Sequence, residues 1–238
     1  MPNWVYNTLT IEGDPDLVNQ VKEQMNKPFV QHVQSIGDLE YEIKAVAYSN
    51  PVFAFWNIIA PPADKLDEYH GTHGYENGQP TGNTPYNWYN FNNREWGTKW
   101  DVAVSDHDQW PSTVLNYDEP NSENRVLVYS FNTAWGCPNE ALIKLSQQYP
   151  TLLFTNEYEE ETGWGGEDEF VNGEHRENAS WNWMCRECDY TESNDPDENY
   201  CEECEAIRCP SCGYGEFVDD DVECQTHGVQ SDSTNEGE

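Results

Sequence analysis

Residues 125–158 read RVLVYSFNTAWGCPNEALIKLSQQYPTLLFTNEY, and this stretch decides the fold. Arg125–Asn132 is rich in β-branched and aromatic residues, which predicts a strand. Pro138 stands where a helix begins, because its missing N–H and fixed φ suit a first turn. Leu142, Ile143 and Leu145, with Tyr149 beyond, form the apolar stripe of that helix. Pro150 ends it, and Leu152–Tyr158 forms the next strand. Further on, Gly163–Gly166 makes a turn and Glu167–Val171 a return strand.

Toward the amino terminus, Thr8–Glu12 alternates apolar with polar and reads as another strand. Gly13-Asp14-Pro15 breaks it. Asp14 caps a helix whose first residue is Pro15 and whose stripe is Leu17, Val21 and Met25. A strand at Tyr41–Tyr48, an aromatic cluster at Phe53–Trp56 and a short helix at Asp64–Tyr69 follow, and residues 70–86 read as a surface loop. With strands near 3–12, 101–106, 125–132 and 151–158 and helices near 15–25 and 138–149, the order is strand, helix, strand, strand, helix, strand. That is the split βαβ pattern of ferredoxin-like domains. The class is therefore α+β: a ferredoxin-like sandwich over residues 1–173 with a long insertion at about 27–100. A composition shift to acids and cysteines then introduces a small module at 181–227, followed by an acidic tail at 228–238 that reads as disordered.

The chain has eight cysteines, and all but Cys137 fall after residue 184. They form three C-x-x-C couples, Cys185/Cys188, Cys201/Cys204 and Cys209/Cys212, and one C-x-x-H couple, Cys224/His227. A C-x-x-C turn aims two thiolates at one spot, and Zn²⁺ takes four soft donors in a tetrahedron. Four couples complete two closed sites with no vacancy for a substrate, which predicts two structural zinc ions in a ribbon module. The alternative, a disulfide framework, meets no support from the amino terminus, which shows neither a basic n-region nor an apolar h-region. Sequential pairing puts Cys185, Cys188, Cys201 and Cys204 on one ion and Cys209, Cys212, Cys224 and His227 on the other. It closes the shorter loops and is favoured on that ground, with a cross-braced pairing as the rival.

The formal charge is −34, from 45 acids against 11 bases. A field of that sign repels phosphates, so direct nucleic-acid binding, the common work of a zinc ribbon, is disfavoured. Two readings of it compete: solubility, in an ordinary or a salty cytoplasm, and imitation of a nucleic acid on a basic protein surface. Disorder throughout is excluded by 13% aromatics, including ten tryptophans. No apolar run approaches the roughly 20 residues of a membrane span, so a soluble, cytoplasmic protein is expected.

Six strings, taken together, resemble a known family. They are MPNW at the start with NTLTIEG after it, FWNIIAPP at 55–62, NREWGTKWDV at 93–102, YSFNTAWGCP at 129–138 and LSQQYPTLLFTNEYEEETGWGG at 145–166. In this order they are similar to a ferredoxin-like family of unknown function carried by bacteriophages, prophages and plasmids. The resemblance implies a fold and a mobile-element context, not a mechanism. Gly136-Cys137-Pro138 departs from the Pro-Pro usual in that family, and the cysteine-rich module lies beyond what the resemblance covers.

Among residues that could carry chemistry, Trp96, Lys99, Trp100 and Asp101 crowd one block, and Trp135 lies in another. They form either a partner-facing aromatic patch or, as large aromatics usually do, core with Lys99 reaching outward. His70 and His73 lack a third ligand at motif spacing, and Cys137 has no evident His or Asn partner. No phosphate loop, nucleophile elbow or dinucleotide turn is present. The expectation is a non-catalytic accessory protein of a phage or mobile element that binds a host or viral protein. The alternative is a nucleotide- or nucleic-acid-acting enzyme, with Trp96, Trp100 and Trp135 stacking a base and Lys99 meeting its phosphate.

Overall fold

The structure is a computed structural model. It describes residues 3–36, 41–70, 75–76, 79–80, 84–109, 112–118, 124–181, 183–184, 191–192, 216–218, 221–224 and 228–231. Side chains are described within 3–31, 45–70, 84–109, 112–118 and 124–181. The chain divides into two compact units, Met1–Asn156 with Asp168–Arg176, and Glu157–Glu167 with Glu177–Glu238.

Strand β1 (Trp4–Gly13) leads into helix α1 (Pro15–Met25). Asp14 caps α1 as expected, its carboxylate accepting from the N–H groups of Asp16 and Leu17 at 3.0 and 3.1 Å. The insertion then begins with a hairpin of β2 (Phe29–Ile36) and β3 (Tyr41–Tyr48), in register from Phe29 opposite Tyr48 to Ile36 opposite Tyr41. Helix α2 (Leu66–His70), the two-residue strands β4 (Tyr75–Glu76) and β5 (Gln79–Pro80), and helix α3 (Trp88–Glu95) follow. The remaining elements are β6 (Val114–Asp118), β7 (Arg125–Ala134), α4 (Asn139–Gln148), β8 (Leu153–Glu160), β9 (Gly165–Val171) and β10 (Glu174–Trp181).

The main sheet runs β10-β9-β8-β1-β7-β6. Its last four strands in that order, β8-β1-β7-β6, are the fourth, first, third and second strands of the split βαβ unit, which is the ferredoxin-like order. β1 and β7 are antiparallel over their full length, with Trp4 opposite Ala134 and Gly13 opposite Arg125. The second strand is not where the sequence placed it. Residues 101–106 form no strand, and β6 lies at Val114–Asp118. The reason is Asp101, whose carboxylate gathers the N–H groups of Val102 and Ala103 and turns the chain. The segment runs on beside the hairpin instead, with Asp106 N–H donating to Ala47 O at 3.0 Å.

One face of the sheet carries the core. Leu9 and Ile11 of β1, Leu127 and Phe131 of β7, and Phe154 of β8 are buried with Val18 and Val21 of α1 and Leu142 and Leu145 of α4. The insertion belongs to this core. Phe53 stacks on Phe131 at 5.3 Å, Phe55 meets Phe131 edge-on at 5.9 Å, and Trp96 is wholly buried beside Phe55. Fully burying each such ring contributes roughly 1.5–3 kcal/mol, so the ferredoxin-like frame depends on its insertion.

In the second unit, a Cβ on Gly165 would collide with the Tyr158 carbonyl and the Trp181 indole, so glycine there lets the indole lie against the backbone. Strands β11 (Trp183–Met184) and β12 (Thr191–Glu192) pair on either side of the Cys185–Cys188 segment. Strands β13 (Glu216–Val218), β14 (Asp221–Cys224) and β15 (Gly228–Ser231) form a three-stranded sheet, with Cys224 ending β14. The side chains of Cys185, Cys188, Cys201, Cys204, Cys209, Cys212, Cys224 and His227, the expected zinc ligands, lie outside the described residues. Among the described residues, no helix is long and apolar enough to cross a membrane.

Candidate docking face

Alternation along β1 sends Val5, Asn7, Leu9 and Ile11 into the core and leaves Trp4, Tyr6, Thr8 and Thr10 on the opposite face. The strand registers extend that face sideways. Tyr6 lies opposite Asn132, Thr8 opposite Ser130, and Thr10 opposite Val128. Val114 then lies opposite Ser130 and Tyr117 opposite Val128. Tyr6, Val114 and Tyr117 are 45%, 45% and 48% exposed, so helices cover one side of the sheet and leave this one open.

At the Trp4 end the face continues into an aromatic cluster. The Trp100 ring lies 5.9 Å from that of Trp4. Lys99 Nζ sits 4.4 Å from the Trp100 ring centroid and 4.5 Å from that of Trp135. Both indoles face solvent, Trp100 at 38% and Trp135 at 49% exposure. Contacts of this kind contribute about 0.5–1 kcal/mol each at exposed sites. The other expected member, Trp96, is not here; it is core, and its Nε1–H donates to Ile59 O at 3.0 Å.

The backbone around the cluster is fixed from several directions. Asn92 Nδ2 donates to Lys99 O at 2.8 Å. Thr98 Oγ1 both donates to Ala134 O at 3.1 Å and accepts from Ala134 N–H at 3.2 Å, joining the two blocks. Gly97, at φ +82°, brings its backbone against the Cys137–Glu140 turn, where a Cβ would meet Cys137 O at 3.0 Å. Trp135 N–H donates to Asn3 O at 2.9 Å. Trp135 itself adopts φ +70°, a left-handed conformation that a bulky side chain takes only at a cost of about 1–2 kcal/mol. Asp101 closes the far side. Its carboxylate accepts from Phe55 N–H at 2.8 Å, Trp56 N–H at 2.9 Å, Val102 N–H at 2.7 Å and Ala103 N–H at 3.2 Å. Burial pushes its pKa up to about 6, against the pull of these four donors.

Lys22 and Arg125 pair with Asp118 at 2.6 Å each, and Lys144 with Glu95 at 2.9 Å. Among the described residues, Lys99 has no carboxylate within ion-pair distance; indoles hold it instead.

A second polar constellation lies inside the first unit. Thr133 Oγ1 donates to Gly136 O at 2.7 Å and accepts from Asn7 Nδ2 at 2.9 Å, and Asn156 Nδ2 donates to Asn7 Oδ1 at 3.0 Å. Asn139 Nδ2 donates to Asp168 Oδ2 at 3.3 Å, and His175 Nε2 lies 3.1 Å from Asp168 Oδ1 without hydrogen-bond alignment. Cys137 is near by, but burial first and Asp168 second push its thiol up to about 12, so no thiolate forms there at neutral pH. His70 ends α2 with its ring 6.4 Å from Trp56 and 5.1 Å from Tyr69, and His73 lies outside the described residues.

Sequence reasoning singled out Lys99, Trp100 and Trp135 but not their union with Trp4 and Tyr6, nor the clamp made by Asp101. The available signal was Tyr6 itself, an aromatic at a polar phase of the β1 alternation.

Residues 99–201 match the model of a family described as the ferredoxin-like domain in Api92-like protein. The crystal structure of protein api92 from Yersinia pseudotuberculosis is similar, with a TM-score of 0.42 and 11% identity over 78% of this chain and 99% of that one. No curated protein matches.

Proposed function

We propose that this chain is a non-catalytic accessory protein of a phage or related mobile element that docks on a basic surface of a host or viral protein. The observation that carries the reading is the open sheet face ending in exposed Tyr6, Trp100 and Trp135 on a chain of net charge −34. Exposed aromatics with a satisfied backbone behind them are what interface anchors are made of. The charge supplies long-range steering toward a cationic partner and repels nucleic acid. In this reading the acidic surface takes the place of a nucleic acid on its target, in the cytoplasm of the host. Two zinc ions on Cys185, Cys188, Cys201, Cys204, Cys209, Cys212, Cys224 and His227 hold residues 181–227 as a structural module without a substrate position.

The test is competition. Binding to the captured partner is expected to be displaced by duplex DNA and to weaken steeply from 50 to 300 mM NaCl. Salt-independent binding that DNA leaves untouched would overturn the reading.

A further inference from the structure

We propose that Trp100 and Trp135 form a cation clasp in which Lys99 stands in for an arginine side chain of the partner. The inference rests on the docking reading above and names the group that the face takes. Lys99 Nζ lies within 4.5 Å of both ring centroids, so the centroids stand at most 8.9 Å apart. A guanidinium centred where that Nζ lies would stand within cation–π reach of both rings, which extends to about 6 Å from a centroid. Guanidinium is planar and more weakly hydrated than ammonium, and it stacks on indole faces where lysine only approaches them. Arginine is therefore the better occupant.

Three observations point to an exchangeable occupant. The clasp is open to solvent, with Trp135 49% and Trp100 38% exposed. Lys99 is anchored through its backbone, by Asn92 Nδ2 on its carbonyl, so its side chain can swing out while the site keeps its shape. Trp135 stays in a left-handed conformation at φ +70°, with a glycine, Gly136, next to it. A core need would explain that strain, but this indole lies at the surface. Charge decides the class of occupant. An anionic group would find one lysine on a molecule with 45 acids and 11 bases, whereas a cationic group meets the rings and a field that attracts it.

The experiment uses the full-length zinc-replete protein and fluorescein-labelled nona-arginine, read by anisotropy. Lys99→Ala vacates the clasp and is expected to tighten binding about tenfold, since an internal competitor disappears. Trp135→Gly, which relieves the left-handed strain and so keeps the fold, is expected to weaken it about tenfold with no fall in Tm. Nona-lysine is expected to bind more weakly than nona-arginine and to respond less to both variants. Weaker or unchanged binding by Lys99→Ala overturns the proposal. So does binding of oligo-dT by the parent protein that Lys99→Ala abolishes, which would assign Lys99 to a phosphate and the indoles to a base. Equal, salt-sensitive binding of nona-arginine by all three proteins would sink the clasp and leave the docking reading standing. No binding at low salt would sink both.

Discussion

Asp101→Asn tests whether burial or backbone donors govern the carboxylate beneath the aromatic cluster. Asp101 accepts four backbone N–H groups, which favour the ionised form, yet enclosure raises its pKa from an ordinary 3.8 to about 6. A pKa raised in the folded state means that the native protein binds the proton more tightly than the unfolded chain does. The group's contribution is then fully present below pH 3.8 and lost as pH rises through 6. The full span of the shift amounts to about 3 kcal/mol, of which roughly half falls between pH 5 and pH 8. Asparagine does not titrate, so the parent protein's advantage over the variant should shrink by about 1 kcal/mol from pH 5 to pH 8. Comparing the two proteins cancels Glu95 and Asp118, whose pKa values are lowered and whose contributions run the opposite way. Urea titrations followed by tryptophan fluorescence at both pH values give the gap directly. A gap that stays constant or widens with pH would show that the four donors win and that the carboxylate is ionised throughout.

Gly97→Ala should destabilise the first unit by about 2–4 kcal/mol, because the backbone holds φ +82° and the new Cβ meets Cys137 O at 3.0 Å and Asn139 N at 3.3 Å. A melting temperature unchanged within a degree would show that the two segments separate easily. Elemental analysis under reducing conditions should find two equivalents of zinc, and chelation should expose residues 181–227 to protease, because in the proposed module metal ligation would supply most of the folding free energy. One equivalent or fewer, or intact disulfides by mass spectrometry, would overturn the ligand assignment.

Much of the frame was legible because periodicity and punctuation agreed. Asp14-Pro15 opens α1, Pro138 precedes α4, and β7 and β8 fall where RVLVYSFN and LLFTNEY place them. The misses have physical causes. α3 is rich in asparagine, a poor helix former, and depends on tertiary bonds such as Tyr69 OH to Asn92 Oδ1 at 2.9 Å. β10 is exposed from Glu174 through Ser180, so no apolar alternation marked it. β2 alternates only weakly before it pairs with the readable β3. The candidate docking face was legible as residue types but not as a place. Uniting Tyr6, Trp100 and Trp135 takes the β1–β7 register, the ring contact of Trp4 with Trp100, and the contact between two blocks whose bonded residues are 36 positions apart.

That contact binds the history of the two blocks as well as their geometry. Gly97 leaves room for the Cys137–Glu140 turn only because it lacks a side chain, and Thr98 is bonded twice to Ala134. A change tolerated in one block alters the space allotted to the other, so substitutions near residues 96–101 and 133–140 should be inherited in compensating pairs. Recombination that separated the halves of this chain between those blocks would join mismatched surfaces. Exchange points in such a gene are expected to fall outside them, before residue 96 or after residue 140.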